Sequence, residues 1–219
     1  EGGTGRLSDG SHLHYPNEAF ELENGTVLVT DRNNDRCLQV DREGNVIWSF
    51  GEKELHHPHN ANPLPDGNIL VSDSDGNRII EVNRDKEIVW SYGDGSIETL
   101  WWPRSAIRLE NGNTLITDTK NHRLLELTKE GKLVWKFQTE HVDTFYLTYA
   151  TPQGTFLTSS VDGHHQVIEI DRACNYVWTF RNYRRPFPLY TGVTNGFFKN
   201  REATGQPEHW TFGTRLSEG

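Results

Sequence analysis

The chain has 219 residues, of which 34% are apolar, with a mean hydropathy of −0.72 and a formal charge of −9. That length suffices for one substantial core, so a single domain over 1–219 is expected. No run approaches the roughly 20 apolar residues of a membrane-spanning helix, and the acidic balance argues against nucleic acid and anionic membrane as partners.

The first residues, Glu1-Gly2-Gly3, and the lack of any Met point to a processed chain or a piece of something longer. An extracytoplasmic or secreted location goes with that expectation. Two cysteines, Cys37 and Cys174, are too few for a disulfide scaffold and leave open one bridge or two thiols. Twenty Gly and nine Pro call for many turns, as in an all-β chain.

Along the chain a unit recurs. Trp48, Trp90, Trp135 and Trp178 stand 42, 45 and 43 residues apart. Each closes a strand-like run such as Val46-Ile47-Trp48-Ser49-Phe50. A turn glycine (Gly25, Gly67, Gly112, Gly154) precedes each Trp by 23 or 24 residues, so insertions fall between units. After each glycine comes one short β-branched run, Val27–Asp31 in the first unit, and then a second, Arg36–Val40. A segment ahead of the glycine supplies a fourth strand. It carries a uniformly small column of Ala19, Ala61, Ala106 and Thr148, as expected where radial sheets converge on an axis.

Four strands in about 42 residues, repeated head to tail, predict a β-propeller of four-stranded antiparallel blades. The blades fall at about 15–52, 56–95, 100–140 and 142–181. Segments 1–14 and 182–219 total 52 residues, enough for a closing fifth blade. The run His209-Trp210-Thr211-Phe212-Gly213 echoes Ile47-Trp48-Ser49-Phe50-Gly51. Asn195-Gly196 lies only 14 residues before Trp210, so this unit is differently built. A four-bladed ring with a wrapped tail and a fragment of a six-bladed ring are the alternatives.

Two stretches are distinctive: Leu64-Pro-Asp-Gly-Asn-Ile-Leu-Val-Ser-Asp73 with Asn77-Arg78-Ile79-Ile80-Glu81-Val82, and Leu109-Glu-Asn-Gly-Asn-Thr-Leu-Ile-Thr-Asp118 with Asn121-His122-Arg123. They resemble the repeats of the arylsulfotransferase family of β-propellers and, more distantly, NHL repeats. The resemblance spans the four units. The Gly-His and Trp-Asp marks of WD40 blades are missing. The resemblance implies a funnel histidine that takes a sulfuryl group from an aryl sulfate and passes it to a phenol. His59 occupies that position, followed by Asn60 where the family often has Asp. The same column holds Asn17, Arg104 and Tyr146 in the other units.

Loops entering the inner strands offer a chemical kit at the funnel mouth: Asn17, His57, His59, Asn60, Trp101, Trp102, Arg104 and Tyr146. His59 is the candidate nucleophile and Arg104 the anion clamp; the rings can stack an aryl group or a sugar. No cofactor and no metal is expected. His12, His14, His56, His57 and His59 lack a Cys or a carboxylate at zinc spacing. The run Asp73-Ser-Asp-Gly-Asn77 starts like a calcium loop but ends in Arg84 where a ligating Glu belongs. Asp31, Asp73 and Asp118 are expected to bond nearby turn amides.

Three functions follow. The first is a non-catalytic module binding a small aromatic or anionic ligand, or another protein chain at the propeller face. The second is an arylsulfotransferase-like enzyme centred on His59. The third is a lectin, which the blade-to-blade differences in the funnel loops disfavour.

Overall fold

The computed structural model describes residues 6–138, 144–160 and 166–181. Among these described residues, sixteen strands form four antiparallel sheets, each in simple sequence order. Blade one is β1 (Pro16–Glu21), β2 (Val27–Asp31), β3 (Arg36–Val40) and β4 (Val46–Phe50). Blade two is β5 (Asn60–Pro63), β6 (Ile69–Asp73), β7 (Arg78–Val82) and β8 (Ile88–Tyr92). Blade three is β9 (Ser105–Arg108), β10 (Thr114–Asp118), β11 (Arg123–Leu127) and β12 (Leu133–Gln138). Blade four is β13 (Phe145–Ala150), β14 (Phe156–Ser160), β15 (Gln166–Ile170) and β16 (Tyr176–Arg181). This is the β-propeller expected from the repeat.

The first strand of each blade lies innermost: β1 contacts β5, β5 contacts β9, and β9 contacts β13. In the small column, Ala61, Ala106 and Thr148 are buried, whereas Ala19 is exposed. The turn glycines adopt φ of 79–89°, which explains why that column admits no side chain. Gly51 and Gly93 add close approach to positive φ. A Cβ there would stand 2.5 Å from the Asp35 and Asn77 carbonyl oxygens.

Cores form between the blades. Leu28, Cys37, Trp48 and Phe50 of blade one meet Ala61, Ile69, Val71 and Ile80 of blade two. Leu70 and Ile79 meet Ala106, Ile116 and Leu125 across the next junction, and Leu124 and Phe137 meet Phe145 and Ile168 across the third. Each interface is thin, which suits a chain only 34% apolar. The tryptophans tie one blade to the next as well. Their indole N–H groups donate to the carbonyls of Arg84 (3.1 Å, from Trp48), Lys129 (2.6 Å, from Trp90) and Arg172 (2.9 Å, from Trp135).

The repeated aspartates act differently from the expectation. Their Oδ1 atoms accept from the backbone amides of His14, His56 and Trp101, 17 residues earlier, at 2.6–2.7 Å. Their Oδ2 atoms accept from Nε of Arg36, Arg78 and Arg123 at 2.5–2.9 Å. All three carboxylates are fully buried. Each therefore pins the loop leading into a blade to that blade's middle strands. Burial raises the Asp73 and Asp118 pKa values, against the pull of their amide and arginine partners. Blade four has Ser160 and Gln166 at these positions.

Residues 6–14 dock on blade one. Ser8 N donates to the Gly44 carbonyl, Asn34 Nδ2 to the His12 carbonyl, and Arg36 pairs with Asp9 at 3.0 Å. The remainder of the expected closing blade, 1–5 and 182–219, lies outside the described residues. Cys37 is buried and Cys174 exposed, both as free thiols. Burial, with the charges of Asp73, Asp31 and Glu18 beside it, pushes the Cys37 thiol pKa far up.

Candidate functional site

The loops that lead into β1, β5 and β9 share one conformation. Tyr15, His57 and Trp102 each adopt left-handed φ of 47–54°, directly before Pro16, Pro58 and Pro103. Bulky residues rarely occupy that region, and the conformation persists only where the surroundings impose it. They do so here. The preceding amide is held by the buried aspartate. The amides of His57 and Trp102 also donate to Asp35 Oδ1 (2.7 Å) and Asn77 Oδ1 (2.9 Å) of the blade before. The chain then delivers Asn17, His59 or Arg104 to the head of the inner strand.

Five of the expected site residues come together. The Arg104 guanidinium lies 4.2 Å from the Trp102 ring centroid and 4.3 Å from that of Tyr146. Tyr146 meets the His59 ring edge-on at 5.2 Å. Trp102 Nε1 donates to Asp75 Oδ1 at 2.6 Å, and His57 Nδ1 lies 2.7 Å from Asp75 Oδ2. Asp75 thereby clamps two of the strained loop residues. Lys120 Nζ stands 4.6 Å from the Trp102 ring and 5.7 Å from that of Trp101.

The other expected residues stand apart from this group. Trp101 sits at the rim, 39% exposed. Asn17 is exposed on blade one. Asn60 is buried and turns its amide to Glu18. Asp75, Lys120 and Glu18 touch this group or Asn60, and none of them is among the site residues expected from the sequence. Asp75 lay in plain view in Asp73-Ser-Asp-Gly-Asn77, where the turn motif masked its reach to two neighbouring loops.

The aromatic faces in this group are engaged by cations: Trp102 by Arg104 and Lys120, Tyr146 by Arg104. This differs from rings kept open for a stacked ligand. His59 is 7% exposed, and its Nδ1 has no hydrogen-bond partner among the described residues. Its pKa is pushed down to about 3, first by burial, then by the charges of Arg104 and Arg32. The ring is therefore neutral across the physiological range.

That state has a measurable consequence. Between pH 3 and 6.5 the unfolded chain binds a proton at His59 that the native ring refuses, so stability is full above 6.5 and falls on acidification. His59 is expected to account for about 2 kcal/mol of stability lost from pH 7.5 to 5. Urea unfolding of His59→Asn should show a correspondingly flatter pH dependence, and an unchanged slope would count against a buried neutral ring.

No protein-family profile and no curated protein matches this chain. Several solved structures are similar to it. A protein of unknown function from Bacteroides caccae is 20% identical with a TM-score of 0.61, over 80% of this chain and 72% of that one. Virginiamycin B lyase from Staphylococcus aureus is 15% identical with a TM-score of 0.59, over 75% of this chain and 55% of the lyase. The WD40 propeller domain of Doa1 is 15% identical with a TM-score of 0.58, over 69% and 50%. These likenesses concern the fold, and the chain spans little more than half the length of the lyase.

Proposed function

We propose that this protein is a non-catalytic propeller whose loop face binds the anionic group of a small ligand. One observation carries the reading: Arg104 and Lys120 both lie against the Trp102 ring, and the charges of Arg104 and Arg32 push down the pKa of the buried His59. A carboxylate or sulfate arriving there meets a guanidinium fixed in orientation by two rings, with the Lys120 ammonium held on the same indole. Asp75 holds Trp102 and hence the guanidinium's position. Preorganisation of this kind saves the entropy of ordering a long side chain on binding.

Turnover is less well served. Sulfuryl transfer needs a nucleophile presented in line to the sulfur. His59 is instead buried, with its ring edge-on to Tyr146.

The probe is p-nitrophenyl sulfate, followed by tryptophan fluorescence. Arg104→Ala and Lys120→Ala are each expected to weaken binding about tenfold, or about 1.4 kcal/mol, and added salt should weaken it further. Equal binding of the neutral p-nitrophenol, or indifference to both substitutions, overturns the reading. Release of p-nitrophenol with a phenol acceptor, lost in His59→Ala, would replace it with the enzyme. An acidic protein segment offers the same carboxylate chemistry, and stoichiometric co-purification would identify such an occupant.

A further inference from the structure

Glu18 stands one residue further along β1 than the funnel-mouth column, at the position that Asn60, Ser105 and Leu147 take in the other blades. It is the charged member of that set. The amides around it are wired in one sense. The Ala106 carbonyl can only accept, and Asn62 Nδ2 donates to it at 2.7 Å. The same Nδ2 donates to Asn60 Oδ1 at 2.7 Å, and Ala106 N approaches that oxygen at 3.4 Å. Asn60 is thus fixed with its Nδ2 outward, donating to Glu18 Oε2. The Ala61 amide also donates to the Glu18 carboxylate. Two donors arranged by a relay across β5 and β9 therefore hold Glu18 as an acceptor.

Among the described residues no cation pairs with that carboxylate. Among the described residues, the Tyr149 phenol from β13 and the Cys37 thiol from β3 feel its charge, and neither neutralises it. Burial accordingly raises the Glu18 pKa to about 7. A half-buried carboxylate with built hydrogen bonds and no counter-ion among the described residues is costly unless something positive joins it.

We propose that Glu18 is the receptor for a primary ammonium group entering along the propeller axis. The Glu18 carboxylate, which accepts from Asn60 through Oε2, carries the charge that an ammonium would neutralise, and the Tyr149 phenol of β13 feels that same charge. Glu18, Asn62 and Tyr149 each keep part of their surface in solvent. A metal ion fits less well, because the described residues contain no group of three His, Cys, Asp or Glu side chains able to hold one. This site is chemically opposite to the anion-binding mouth and does not depend on it.

The probe is n-butylammonium chloride, titrated calorimetrically into the full chain, with tetramethylammonium as the donorless control. Binding should tighten about tenfold or more from pH 5.5 to 8, as Glu18 ionises. The ammonium should lower the Glu18 carboxyl pKa by a unit or more, read by carbon NMR with Glu18→Gln as the assignment. Glu18→Gln should abolish the pH dependence and most of the binding. It is isosteric and can still accept from Asn60; Asn62→Ala, which frees Asn60 from the relay and leaves the charge in place, should weaken binding less than Glu18→Gln does. No binding of the probe, equal binding to Glu18→Gln, tighter binding on acidification, or equal binding of tetramethylammonium overturns the proposal. Arg104→Ala should leave ammonium binding unchanged, so failure here is separable from failure at the mouth.

Discussion

Arg36→Met is expected to destabilise the protein by about 3–5 kcal/mol, the usual cost of stranding one member of a buried ion pair. Asp31 is fully buried and Arg36 is 4% exposed. Their contact is 2.9 Å, and Arg36 reaches on to Asp9 and Ser11. Without the guanidinium, Asp31 keeps, among the described residues, the His14 amide and Asn34 as donors. The loop into β1 would loosen with it. The double substitution Asp31→Asn, Arg36→Met should recover a large part of the loss, because no charge remains buried and the His14 amide keeps its acceptor. Blade four supplies a natural precedent: Ser160 and Gln166 occupy the pair's positions, both buried and uncharged. Chemical denaturation of the single and double variants decides the matter. If the double variant is no more stable than the single, the loss comes from packing rather than from the stranded charge.

The architecture was legible because its constraints recur. A turn glycine with left-handed φ, a small inner-strand residue and a bridging Trp come back every 42–45 residues, so each unit corroborates the others. The site is not repeated, and its residues had to be chosen by position alone. Position served for His57, His59, Trp102, Arg104 and Tyr146, which the fold brings together. It could not show that Arg104 and Lys120 would engage the rings, nor that His59 would be nearly enclosed. Those facts depend on side-chain direction across blades. The buried aspartates illustrate the same limit. Turn chemistry predicts local amide bonds, whereas the observed partners lie 17 residues back and five ahead. Glu18 gave no signal because its meaning lies in what does not surround it.

Trp48→Ala should cost about 3–5 kcal/mol, comparable to other large-to-small changes at buried aromatics. The ring is 8% exposed and sits in the core shared by blades one and two. It stacks on Phe50 with centroids 6.3 Å apart, and Arg84 of the next blade lies 5.7 Å from its face. Its N–H donates to the Arg84 carbonyl. Truncation therefore removes apolar contact, a cation–π contact and an interblade hydrogen bond together, and it leaves that carbonyl short of a partner. Trp178 holds the same column but is 39% exposed. Its replacement by alanine should cost clearly less, about 1–2 kcal/mol, because less area is withdrawn from water. Urea unfolding of the two variants compares them directly. Because blades one, two and three are each joined to the next through such a ring, Trp48→Ala should also broaden the transition, as coupling between neighbouring units weakens. Equal losses at Trp48 and Trp178 would mean that the column stabilises each blade from within, and that the bridge to the neighbour adds little.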